Sequence, residues 1–64
     1  MMCTFKELEV GSFFEKDGSL YRKVLHAKSW DPTLKNIRYY NAVCCDGDSD
    51  PMHLFSHDEE VVSI

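Results

Sequence analysis

Four side chains in the second half of the chain, Cys44, Cys45, His53 and His57, are of the types that ligate zinc. Their spacing argues against such a centre. Structural zinc sites take paired cysteines two to four residues apart, whereas adjacent cysteines on a strand point to opposite faces. The two cysteines are therefore expected to act as small apolar side chains, and the two histidines as a surface pair, with no bound metal. With Cys3 the cysteine count is three, and the only close pair is adjacent in sequence, so a disulfide scaffold is not expected either.

Asp46, Asp48 and Asp50 reproduce the alternating acids that open an EF-hand calcium loop. The rest of the loop fails: Pro51 stands where the sharp turn needs glycine, and His57 where a bidentate glutamate belongs. A solvated acidic turn that discourages edge-to-edge association is the simpler reading. Cys45 with His53 or His57 and Asp58 spells a nucleophile, a base and an orienting acid, but no spacing requires them to meet. A barrel of this size also has little room for a substrate cleft. We expect no catalytic residue and no cofactor.

Binding chemistry is richer in the middle of the chain. Tyr21, Trp30, Tyr39 and Tyr40 lie among Arg22, Lys23, Lys28, Lys35 and Arg38. Aromatic rings among basic groups can stack on single-stranded nucleic acid and neutralise its phosphates. Trp, Tyr and Arg are equally the usual anchors of protein interfaces. Trp30, Tyr39, Tyr40, Arg38, Lys35 and Tyr21 are the candidate binding residues, and Trp30 is the strongest, as a loop residue presented to a partner or folded over the core. The stretches 46–50 and 58–60 hold six acids, too few for an ordered phosphate mimic, so that idea is subsidiary to binding a host protein.

Those residues must be positioned by a chain of 64 residues. A domain of this size buries only roughly 60% of its unfolded surface, so it has one core, and self-association is a natural way to gain stability. Hydrophobic and charged fractions of 44% and 28% are ordinary for a folded domain. The net charge of −4 opposes general attraction to nucleic-acid phosphate. No run approaches the roughly 18 apolar residues of a membrane span, and the start lacks a signal-peptide pattern, so a cytoplasmic, non-membrane protein is expected.

Thr4 followed three residues later by Glu7 predicts a capping box and at most one helical turn ending by Gly11. Asp17-Gly18 predicts a type I′ hairpin joining strands at 12–16 and 19–27. Residues 28–36 have loop composition, with Asp31-Pro32 and Asn36. Residues 37–45 return to a β pattern, expected to pair antiparallel with the strand before the loop. A short strand at 52–55 and a closing strand at 61–64, lying against the first strand, complete the pattern. The expected fold is mostly β: a small, five-stranded, strongly bent antiparallel sheet or SH3-like barrel with one short helical turn, an OB-like barrel being the alternative.

The series Phe5-x-x-Leu8-x-x-Gly11-x-Phe13, then Asp17-Gly18-x-Leu20-Tyr21-x-Lys23-Val24, then Asn41-Ala42-Val43 and Phe55 resembles small uncharacterised proteins of bacteriophages and bacterial mobile elements. The resemblance spans most of the chain and implies a compact β-barrel, a phage-like origin with a place in the host cytoplasm, and no catalytic residues. The chain departs from that pattern in its longer segment around Trp30 and in Cys44-Cys45. Sequence alone thus leads to a non-enzymatic module that binds a protein, either a host factor or a second copy of itself, with a weak single-strand nucleic-acid binder as the alternative.

Overall fold

The structure, a computed structural model, describes residues 1–47 and 50–64. Among the described residues six strands form one antiparallel sheet: β1 (Met2–Thr4), β2 (Phe13–Lys16), β3 (Ser19–Asp31), β4 (Asn36–Cys44), β5 (Met52–His53) and β6 (Glu60–Ser63). Their order across the sheet is β1-β6-β2-β3-β4-β5. A single 3₁₀ turn, Phe5–Glu7, follows β1. None of the described helices is long and apolar enough to cross a membrane.

Turn chemistry accounts for the local pieces. Asp17 and Gly18 have φ of 52° and 82°, the two left-handed positions a type I′ turn demands, and Lys16 pairs with Ser19 across it. At the 3₁₀ turn the Glu7 carboxylate accepts the Thr4 backbone N–H at 2.9 Å and the Thr4 hydroxyl at 2.7 Å. β6 returns beside β2, with Phe14 opposite Ser63, as the closing-strand expectation required.

Three expectations change, the first being that the strand expected at 52–55 covers only Met52–His53, with Leu54 and Phe55 beyond it. Met2–Thr4 is an additional edge strand, paired with β6 through Cys3 and Val61; three residues beside a turn carry too little periodicity to announce a strand. The segment 28–36 is not one loop. β3 runs on to Asp31 and β4 begins at Asn36, leaving a four-residue turn over 32–35. The Asp31 carboxylate accepts the backbone N–H groups of Thr33 and Leu34 at 2.9 and 3.3 Å, an Asx-type turn that lets polar loop composition coexist with a hairpin.

The core is a cluster of rings. Phe14 and Phe55 meet edge to face at 5.3 Å, Tyr21 and Phe55 at 5.1 Å, and Phe5 stacks on Phe55 at 5.4 Å. Leu8, Ala42 and Val61 complete it. Offset and edge-to-face ring pairs each add about 0.5–1.5 kcal/mol beyond area burial, which matters in so small a core. The Lys23 ammonium caps the cluster 4.6 Å above the Phe5 ring and donates to the carbonyls of Phe5 and Leu8 at 2.9 and 2.6 Å.

Beyond the core the β3–β4 hairpin continues alone. Lys23 pairs with Ala42 and Ala27 with Tyr40, so the three residues Val24, Leu25 and His26 stand opposite the single Asn41. Such a bulge bends a strand and increases its twist. Past it, residues 27–40 contribute no side chain to the core cluster, and the molecule measures 37 × 21 × 17 Å. The outer hairpin is an arm.

Candidate functional site

Register decides which way each arm side chain points, because residues paired across two strands share a face. Lys28 is paired with Tyr39 and Trp30 with Ile37, so these four lie on one face. His26 joins them, its ring meeting Tyr39 edge on at 5.7 Å. All five are exposed, with Trp30 at 58%, Tyr39 at 53% and Ile37 at 41%. Trp30 therefore does not cover the core. It stands on a strand, on an apolar face open to solvent.

The opposite face of the arm is engaged by the chain itself. The Arg38 guanidinium donates to Asp50 at 3.0 Å and to the Met52 carbonyl at 2.9 Å, and lies 3.5 Å from the Asp31 carboxylate. These groups border a cleft of about 610 Å³ beside the turn. The hydrogen bond from Arg38 holds the Asp50 carboxyl below its usual range, and the bond to Asp50 raises Arg38 above its own. With two carboxylates beside it, Arg38 offers little uncompensated charge to a ligand. Tyr40 is half-buried on this same face, opposite Ala27.

The candidate residues thus separate into groups. Trp30 and Tyr39 come together on the exposed face. Lys35 sits in the turn with φ of 54°. Arg38 and Tyr40 face the other way, and Tyr21 is buried among Phe14 and Phe55, where it packs the core. Ile37, Lys28 and His26 belong to the exposed face but were not singled out as its members. The signal that finds them is the period of two once strand pairing is known.

The residues weighed for metal and nucleophilic chemistry have other surroundings. The Cys44 thiol donates to the Asp46 carboxylate at 2.9 Å, and that bond, with the Leu20 N–H, lowers the Asp46 pKa. Cys45 is exposed. His53 packs edge on against Tyr21 at 4.9 Å, and His57 lines a groove with His26 on another part of the surface. Of the three aspartates that suggested a calcium loop, Asp46 and Asp50 are engaged within the chain, and Asp48 lies outside the described residues. Among the described residues no group of three or more His, Cys, Asp or Glu converges.

Charge is divided along the same line as shape. Residues 24–40 hold three basic side chains and one acid, whereas the rest of the chain holds four basic side chains and ten acids. A net positive arm stands on a net negative body. No protein family, curated protein or solved structure matches this chain.

Proposed function

We propose that this chain is a non-enzymatic protein-binding module whose docking element is the exposed face of the β3–β4 arm. The carrying observation is the one-sided array of Trp30, Ile37 and Tyr39 on a hairpin outside the core. An isolated two-stranded hairpin is marginal in water, and interface anchors are enriched in Trp and Tyr. A partner covering this face stabilises the arm and buries its rings together. Its occupant is a host protein or a second copy of the chain. The residue pattern from Phe5 to Phe55 supports a phage or mobile-element accessory protein acting in the host cytoplasm. The order β6-β2-β3-β4-β5, a meander whose last strand returns beside its first, supports an SH3-like arrangement of the body.

The test is a capture from bacterial lysate with the wild-type chain and with Trp30→Ala, read by mass spectrometry, beside sedimentation of each protein alone. A partner, or a second copy, is expected on the wild type and lost on the variant, with the fold retained. Identical captures and identical sedimentation would overturn the reading.

Weak single-strand nucleic-acid binding is favoured by one feature: Lys28 lies directly across from Tyr39 and on the same face as Trp30, the pairing of ring and cation that stacks a base and meets its phosphate. Labelled single strands titrated at low and moderate salt separate the two readings, since phosphate binding weakens steeply with salt. Salt-sensitive binding lost in both Lys28→Ala and Trp30→Ala would replace the protein partner with nucleic acid.

A further inference from the structure

The bulge that turns the arm outward also opens a groove at its base. Two adjoining hollows, of about 250 and 420 Å³, share His26, Asn41 and His57 in their walls. All four ionisable side chains lining them, Lys6, Lys23, His26 and His57, are basic, in a chain whose net charge is −4. Lys23 is fixed in place by its bonds to the Phe5 and Leu8 carbonyls, which leave one of its three N–H groups for a ligand. Among the described residues the Lys6 ammonium has a long ion pair with Asp58, at 4.0 Å, whose side chain is 92% exposed. An imidazole has an N–H to donate in either protonation state, so both histidines can also meet a carboxylate.

The remaining walls are aliphatic. Val10, Leu25 and Leu54 line the groove and are 54%, 74% and 57% exposed. The phenyl rings below them, Phe5 and Phe55, are buried at 2% and 8%, so the groove offers no open phenyl, phenol or indole ring to a base, and its exposed rings are the two imidazoles. Aliphatic anchors beside basic groups suit a peptide segment carrying carboxylates and branched apolar side chains. We infer that the groove between the bulge and His57 is a docking site for an acidic, aliphatic-rich peptide segment of the partner protein. This rests on the protein-binding reading and gives the partner its chemistry. His26 borders both surfaces, so a partner lying on the arm face reaches the groove without a gap.

The probe is a short labelled peptide alternating Asp and Leu, titrated into the full isotope-labelled chain by fluorescence anisotropy and amide shift mapping. Controls are the Lys–Leu and Asp–Ser peptides and a thymidine single strand. The Asp–Leu peptide is expected to bind better than all three, with shifts centred on Lys6, Leu25, His26 and His57. His57→Glu is expected to weaken it by about ten-fold or more, through like-charge repulsion. Leu54→Ser, which changes no charge at an exposed position, should weaken it as well, and each variant is first required to keep the wild-type amide spectrum elsewhere. Absence of Asp–Leu binding, equal binding of the Lys–Leu peptide, displacement by the thymidine strand, or shifts confined to Trp30 and Tyr39 would each overturn the inference. A lysate partner lost on Trp30→Ala while the Asp–Leu peptide fails to bind would leave the arm as the interface and remove only the groove. Binding of the peptide with no Trp30-dependent partner would retain the groove and remove the arm.

Discussion

The buried side chain of Asn41 holds the backbone of Phe55 at both ends, its amide nitrogen donating to the Phe55 carbonyl at 2.9 Å and its oxygen accepting the Phe55 N–H at 2.8 Å. Phe55 lies just past β5 and places its ring at the centre of the aromatic core. Asn41 therefore does for this segment what a neighbouring strand does elsewhere. It also faces the three-residue bulge of β3, so one side chain joins the core, the groove and the root of the arm.

Asn41→Leu leaves two backbone groups of Phe55 without these partners. An unsatisfied buried polar group costs about 1–3 kcal/mol, so the variant should lose on the order of 2–4 kcal/mol in urea unfolding, a large fraction of the stability of so small a domain. A loss within the ordinary error of the measurement would show that Phe55 is held by packing alone.

Lys35 adopts a left-handed backbone, φ 54°, that a side chain disfavours by about 1–2 kcal/mol and glycine accepts freely. Lys35→Gly should raise thermal stability slightly while leaving protein capture unchanged. Gly18→Ala should lower it, because φ is 82° there and the β2–β3 hairpin depends on that turn. The opposite signs of the two changes are the check.

Trp30 is the chain's only tryptophan and is 58% exposed, so its fluorescence reports the arm directly. The free protein should emit as a solvent-exposed indole and be quenched efficiently by iodide. Emission should move to the blue on addition of the captured partner. Trp30→Ala should change stability by less than about 1 kcal/mol, as is usual for an exposed site, yet weaken partner binding by on the order of 2 kcal/mol.

Acidification should destabilise the fold. Glu7 is held below its ordinary pKa first by the Thr4 N–H and then by the Thr4 hydroxyl, Asp46 by the Cys44 thiol and Asp50 by Arg38. These carboxyls ionise more readily folded than unfolded, so the unfolded chain binds more protons in acid. Their contribution is complete above the ordinary carboxylate range of about pH 4 and is lost as pH falls through the lowered values. Melting temperature should be insensitive to these groups near neutral pH and decline below about pH 4, with a shallower decline for Glu7→Gln and Asp50→Asn. An unchanged slope in both variants would remove these contacts from the account.

What the sequence by itself determined was local: Asp17-Gly18 demanded a type I′ hairpin, Thr4 and Glu7 a short capped turn, and the β-branched and aromatic run after Asn36 a strand. These depend on backbone angles and side-chain reach within a few residues, so they are legible without knowing what packs where. Tertiary structure alone decided the rest. Residues 28–31 have loop composition, yet β4 pairs with them and makes them strand. Met2–Thr4 is a strand because β6 lies beside it. The three-for-one bulge opposite Asn41 adds two residues and so preserves the alternation of β3, leaving Tyr21 and Trp30 on opposite faces; only the fold decided that the Tyr21 face packs in the core, that the Trp30 face stays open, and that Arg38 meets Asp50 on the other face of the arm. Register is a relation between distant segments, and only the folded chain contains it.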